Sequence, residues 1–322
     1  VKKGASSKQN KTSSRLKTTN IDVDAAVKEI KKNYAIVGRD VEMKLLLGAM
    51  RAGRNVLIEG PVGVGKTVLA SAVAHFLDRD LVRIDGDSRF TEQKLTGWFD
   101  PNLVLKKGFS EKTFCAGPLV EAMRKGAVLF INELNRMPEA VQNILLPAID
   151  EGILHVPQLG TIKAKPGFLV VATQNPREFV ATAHLSEALL DRMEWVHLDY
   201  QSFEDECEIV RNAVADLGNL ESHVKMAVAL TRLTRSHPKI KRGASVRAAI
   251  AVLKVLRGLV GTRSITTEDL WSAIKVAFPT RIELSASENQ KEFEVECDTV
   301  LRELFEELKK NSNIPLNPSM TH

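Results

Sequence analysis

The sequence predicts a five-stranded parallel α/β domain with helices on both faces, followed by a smaller all-helical domain. Three observations carry that expectation. Short apolar runs alternate with helical stretches between Val56 and Leu198. A glycine-rich loop joins the first of those runs to a helix. Beyond Tyr200 only helical periodicity remains.

An amphipathic stretch at 23–32 comes first, then Ile36-Val37-Gly38-Arg39 and a second helix running to about Ala52. Strands are expected at 56–59, 81–84, 127–131, 168–173 and 195–198, apolar runs spaced by helices. Pro147 interrupts a helical stretch at 140–150. A kink or a shifted boundary is expected there, because proline lacks an N–H and crowds the carbonyl four residues back. Residues 153–157 and 161–165 flank Gln158-Leu159-Gly160 and read as a hairpin.

The later helices are expected at 203–216, 222–236, 245–260 and 267–278. Ser202 precedes Asp205 by three residues and Thr266 precedes Asp269 by three, both capping-box spacings. Ser245 is a candidate cap for the third helix. Phe293, Cys297, Val300, Leu304 and Leu308 then recur at helical spacing within a segment, 282–322, that holds nine acids against four bases. That stripe either packs on the chain's own helical domain or forms a seam with another subunit.

Apolar residues make up 44% of the 322 and charged residues 26%, enough to build a core. The net charge of +5 is lodged in residues 1–20, where Lys2, Lys3, Lys8, Lys11, Arg15 and Lys17 meet no acid. The remainder is therefore nearly neutral. This basic arm lacks the apolar content to fold alone and is expected to be solvated and disordered, with contact to nucleic acid or acidic lipid as the alternative. No apolar run approaches the roughly eighteen residues of a membrane span, and neither a secretory signal nor a transit peptide is evident. Cys115, Cys207 and Cys297 are too dispersed for a metal knuckle or a disulfide framework, which favours a reducing, cytoplasmic setting. No HExxH or GxSxG occurs, and the seven histidines have no ligand spacing.

Gly60-Pro61-Val62-Gly63-Val64-Gly65-Lys66-Thr67 fits the phosphate-loop pattern G-x-x-x-x-G-K-[ST] completely. An apolar strand precedes it and a helix follows, as the physics requires: glycines let backbone N–H groups converge on phosphate oxygens, and the helix N-terminus adds its dipole. Lys66 would neutralise the β- and γ-phosphates and the Thr67 hydroxyl would ligate magnesium. The shorter glycine string is no dinucleotide fingerprint, because that pattern would need glycine where Val68 stands. The run at 127–131 ends in Asn132-Glu133. In phosphate-loop ATPases an Asp at this strand end holds magnesium and the following Glu polarises the attacking water. Glu133 is placed for the second task. Asn132 can accept a hydrogen bond from metal-bound water but brings no charge, so either hydrolysis survives on Thr67 and the phosphates, or the chain binds nucleotide with feeble turnover.

With these motifs in place, residues 36–282 resemble the AAA+ ATPases, and more narrowly the MoxR family. Ile36-Val37-Gly38-Arg39 resembles the adenine-contacting entry segment, so Val37 and Gly38 join 60–68 as candidate nucleotide contacts. Ala172-Thr173-Gln174-Asn175-Pro176 resembles the sensor-1 strand end, Leu189-Leu190-Asp191-Arg192 the arginine-finger motif, and Gly243-Ala244-Ser245-Val246-Arg247 the sensor-2 helix start, usually written with Pro where Val246 stands. The resemblance implies that Asn175 orients the lytic water or touches the γ-phosphate, and that Arg192 reaches the γ-phosphate of a neighbouring subunit, unless a salt bridge to Asp191 or Glu194 holds it. It implies that Arg247 reports hydrolysis in cis. Arg136 is a weaker candidate for a subunit interface. The insertion at 85–119 and the hairpin are similar to the family's client-facing projections.

The expected division is a basic arm at 1–20, an AAA+ α/β nucleotide domain at 21–200, a helical lid at 201–282 and an acidic amphipathic helix and tail at 283–322. The function implied is an ATP- and Mg²⁺-dependent ring ATPase, most simply a homohexamer. Such a ring would remodel or mature a protein client, often alongside a von Willebrand A domain protein. A nucleotide-gated scaffold weakened by Asn132 and a DNA-acting AAA+ ring are the alternatives. The neutral body argues against nucleic acid.

Overall fold

The computed structural model describes residues 22–175, 185–214, 218–261, 263–285 and 290–310. The basic arm, Pro176 and the tail beyond 310 lie outside the described residues. The chain divides into an α/β unit that ends at Asp199 and a helical unit that begins at Tyr200 and also takes in Val62–Val64.

The α/β unit is built on one sheet of five parallel strands: β1 (Val56–Glu59), β2 (Leu81–Asp85), β3 (Val128–Asn132), β4 (Leu169–Gln174) and β5 (Glu194–His197). Their order across the sheet is β2-β3-β4-β1-β5. The inner strands β1, β3 and β4 are buried almost end to end, as strands covered on both faces must be, whereas β2 and β5 at the edges are partly exposed. One face packs Leu57, Leu129, Ile131, Val170 and Ala172 against Leu119, Val120 and Met123 of the helix Pro118–Lys125. The helices Asp40–Arg51 and Lys66–Phe76 also lie against the strands. Each fully buried side chain of this kind, Phe130 or Ile131 for instance, contributes about 1.5–3 kcal/mol. Parallel register brings all the strand C-termini to one edge, with Glu59 beside Gln174 and Asp85 beside Asn132.

Pro147 acts where the sequence says it should. The helical stretch splits into Glu139–Asn143 and Leu145–Asp150, and Asn143 carries the carbonyl that the Pro147 ring crowds. The hairpin forms from Ile153–Val156 and Gly160–Lys163, so Gly160 belongs to the second strand rather than to the turn. The 85–119 insertion contains a second small hairpin, Gly97–Phe99 against Phe114–Ala116.

The helical unit contains Phe203–Ala213, Glu221–Ser236, Val246–Val260, Thr267–Ala277 and Gln290–Lys310. Ser202 accepts from the Asp205 N–H, and Thr266 with Asp269 completes a reciprocal capping box. Ser245 departs from expectation: it sits at the N-cap position with extended backbone, but its side chain makes no capping bond. One short antiparallel pair, Ile240–Arg242 with Glu283–Leu284, interrupts the helical pattern, and Lys241 and Arg242 both pair with Glu283. The C-terminal stripe is buried within this unit, where Cys297, Val300 and Leu304 join the core and Phe293 and Leu308 pack at its margin. No helix among the described residues is long and apolar enough to cross a membrane.

Candidate nucleotide site

The C-terminal edge of the sheet gathers the polar groups of the α/β unit. The loop after β1 turns through Gly63 and Gly65, both at positive φ (84° and 95°), into the helix Lys66–Phe76, whose N-cap Gly65 offers no side-chain acceptor. The N-terminus of such a helix suits an anion. Gly60 meets the Leu198 carbonyl so closely that a Cβ would lie 2.0 Å from the oxygen. Lys66 is almost buried, and its Nζ donates to the carbonyls of Gly60 (2.6 Å) and Pro61 (2.9 Å) and to Asn175 Oδ1 (2.9 Å).

From Lys66 a continuous polar chain runs across the strand ends. Asn175, just past β4, accepts from Lys66 and donates through Nδ2 to Glu133 Oε1 at 3.1 Å. The other oxygen of Glu133 accepts from Arg136 Nη1 at 2.8 Å, and this bond holds the Arg136 guanidinium above its ordinary range. Glu133 has a left-handed backbone (φ 57°), uncommon for a residue with a side chain. Its N–H donates to Thr173 Oγ1 at 2.9 Å, which pins that conformation. Backbone strain of this kind collects at functional sites.

A second chain lies beside the first. Asn132 Oδ1 accepts from Thr67 Oγ1 (3.4 Å) and from Thr173 Oγ1 (3.0 Å), while Asn132 Nδ2 donates to Asp85 Oδ1 at 2.9 Å. Arg83 Nη2 reaches the same Asp85 oxygen at 2.9 Å. The Arg83 hydrogen bond, with a smaller contribution from the Asn132 amide and against the opposing effect of burial, holds the Asp85 carboxyl below the usual range. Gly86 makes this pairing possible, because a Cβ there would sit 2.2 Å from the Glu133 carbonyl oxygen. The Thr67 hydroxyl and the Asn132 side-chain oxygen are hard oxygen donors, of the kind that magnesium takes. Among the described residues no cluster of three or more His, Cys, Asp or Glu could hold a metal by itself, so such an ion would also need phosphate oxygens.

The structure therefore brings Lys66, Thr67, Asn132, Glu133 and Asn175 together, around the Gly60–Gly65 loop. Val64 is buried in that loop, whereas Val62 and Val68 are exposed. Val37 is buried and Gly38 has positive φ. The next residue, Arg39, ties this segment to the end of β5 through a 2.6 Å bond from Nη2 to the Asp199 carbonyl, next to the Leu198 carbonyl that abuts Gly60. Arg192 corrects one expectation. It pairs with neither Asp191 nor Glu194; its Nε donates to Asp150 at 2.6 Å and its Nη1 to the Ala188 carbonyl at 2.7 Å. Glu194 is taken by Arg54 at 2.8 Å. Arg247 is exposed in the first turn of Val246–Val260, in the helical unit. Sequence reasoning missed Asp85 and Asp150, because strand register and tertiary packing place them and no local motif marks them, and it gave Thr173 no role although Thr173 lies inside the sensor-1 string.

Residues 55–193 match the AAA domain (dynein-related subfamily). The gas vesicle ATPase GvpN of Haloferax mediterranei is 34% identical over 62% of this chain and 60% of its own length. The chain thus spans about 60% of the length of the gas vesicle ATPases it matches. The uncharacterized protein YeaC of Bacillus subtilis is 28% identical over 86% of this chain and 92% of its own. Among solved structures, a mutant of Thermotoga maritima RuvB superposes with a TM-score of 0.52 at 22% identity, over 75% of this chain and 71% of that one, a likeness of fold alone. Residues 55–193 thus resemble an AAA domain of the dynein-related subfamily, and the fold is that of the AAA+ P-loop proteins.

Proposed function

We propose that the chain is a MoxR-type AAA+ ATPase that binds and hydrolyses ATP in a homo-oligomeric ring, most simply a hexamer, and uses the cycle to remodel or mature a protein client. The observation that carries this reading is the chain Lys66–Asn175–Glu133–Arg136 at the sheet edge. Names of relatives such as the gas vesicle ATPase support the ATPase clause. The remodelling clause, a von Willebrand A partner included, rests on the MoxR resemblance.

In this mechanism the loop N–H groups and Lys66 hold the β- and γ-phosphates, exchanging the Gly60 and Pro61 carbonyls for phosphate oxygens. Val37 and Gly38 face the base. Thr67 and Asn132 would hold magnesium, which would supply positive charge against the phosphates. Glu133 accepts a proton from the attacking water, and Asn175 orients that carboxylate through its Nδ2. Arg192 offers a planar cation to the γ-phosphate of the next protomer. Asp150 and Ala188 occupy its Nε and Nη1, and its Nη2 makes no hydrogen bond among the described residues. The MoxR resemblance assigns nucleotide sensing to Arg247. A nucleotide-gated scaffold is the second reading, favoured by the uncharged amide at Asn132.

The test is ATP turnover with magnesium across protein concentration, for Glu133→Gln, Arg192→Ala and their mixture. Turnover per subunit should rise with concentration, collapse in each variant and partly return on mixing, since mixed rings regain interfaces with both an intact Glu133 and an intact Arg192. Turnover that is independent of concentration, with no recovery on mixing, contradicts a trans finger. Tight ATP binding with turnover no higher than that of Glu133→Gln leaves the scaffold.

A further inference from the structure

The uncharged residue at the end of β3 has a charged neighbour one strand away. β2 and β3 are parallel and in register, Asp85 opposite Asn132, so the two residues end adjacent strands at the same level. Asp85 Oδ1 accepts from Asn132 Nδ2 at 2.9 Å, and this fixes which way the amide faces: its nitrogen toward the carboxylate, its oxygen toward Thr67 and Thr173. An amide in the opposite sense would set two oxygens against each other, since an ionised carboxylate only accepts. The hydrogen bond to an anion also polarises the amide and increases the electron density on Oδ1. Taken together, the Asp85–Asn132 pair carries the single negative charge that one aspartate at position 132 would carry, with the formal charge one strand away and a carbonyl oxygen facing Thr67.

We propose that Asp85 is a positioning residue for the metal side of the nucleotide site, supplying through Asn132 the negative charge that β3 lacks. This rests on the reading that the site binds nucleotide with magnesium. Asp85 never touches the metal; it orients and polarises the residue that does. Gly86 is part of the same arrangement, because only a residue without a Cβ allows the strand end to lie against the Glu133 carbonyl, and the Gly86 N–H donates to the Asn132 carbonyl at 2.7 Å. The pairing is therefore fixed by backbone as well as by side chains. Arg83 donates to the same Asp85 oxygen and helps to hold the carboxylate in place at the strand ends.

The test is equilibrium binding of a fluorescent ATP analogue to the full chain, in magnesium and in EDTA, for the wild type, Asp85→Asn, the transposed double variant Asp85→Asn/Asn132→Asp, and Asp87→Asn. Asp87 is a nearby acid paired with Arg89 and serves as the control for general surface charge. Affinity in EDTA should be alike in all four. The gain in affinity on adding magnesium should fall about tenfold in Asp85→Asn, the scale of one hydrogen bond to a charged group. It should return in the double variant, which moves the carboxylate onto β3 and the amide onto β2, and stay unchanged in Asp87→Asn. Thermal midpoints measured alongside separate this from misfolding. An Asp85→Asn protein that keeps the wild-type magnesium gain overturns the inference alone, and so does a folded double variant that fails to recover it. A wild type that binds equally with and without magnesium overturns both the inference and the reading beneath it.

Discussion

Two glutamates, one in each unit, meet arginines in different ways. Glu206 in the helical unit is 3% exposed and lies between Arg232 and Arg235, at 3.1 and 2.7 Å. Arg235 also stacks on Tyr200 at 3.7 Å and donates to the Ala244 carbonyl. The two arginines give that carboxylate three hydrogen bonds, on both of its oxygens. Glu133 at the sheet edge is 27% exposed, with one arginine on one oxygen and a neutral amide on the other. A carboxylate has about four acceptor sites, so Glu133 keeps capacity for a water or a proton that Glu206 has spent on structure. The presence of an ion pair therefore says little about role; what separates the two is burial and what the second oxygen touches.

This comparison can be broken experimentally. Glu206→Gln should be the most damaging to stability, by about 3 kcal/mol, because two arginines would remain in a buried site with their partner charge gone. Chemical denaturation should show it as a lower midpoint, with ATP turnover per folded molecule retained. Thr266→Ala removes one half of a capping box in the same unit and should cost about 1 kcal/mol in the same assay. Arg136→Ala should change stability by less than about 0.5 kcal/mol, since the Arg136 side chain is 57% exposed, yet alter turnover several-fold by loosening Glu133. A stability loss there matching that of Glu206→Gln would erase the distinction. The smallest effect is a slope with pH. Burial pushes the Cys297 thiol up to about 11, above its value in the unfolded chain. The folded state therefore binds more protons over that interval, and stability should decline as pH rises from roughly 9 to 11. Cys297→Ala should flatten that part of the profile.

Where a residue's role depends on neighbours in sequence, the role was readable. The phosphate loop needs only its glycines, Lys66 and Thr67 between a strand and a helix, and Pro147 announces the break at Ile144 by its own chemistry. Thr266 and Asp269 declare their capping box at a distance of three. Where the partner comes from another strand or helix, the sequence was silent. Asn132 reads as a missing charge until β2 is seen to pair with β3 in register and Asp85 is found beside it. Arg192 suggests Asp191 or Glu194 by proximity along the chain, but the short helix Glu187–Leu190 turns it toward Asp150 instead. Ser245 has the residue type and the position of a cap but lacks the bond. Position along the chain supplies candidates, and register decides among them.

The central claim is that Glu133 is held ready for chemistry and is not a structural ion-pair partner. The most direct measurement is ATP affinity, ATP turnover and unfolding midpoint on one preparation of Glu133→Gln beside the wild type. The amide keeps the shape and the hydrogen bond capacity but loses the basic oxygen. The account predicts ATP affinity and midpoint close to wild type, with turnover reduced by about two orders of magnitude or more, the scale of a general base. Turnover retained in Glu133→Gln, or lost only in step with a collapse in stability, would contradict it.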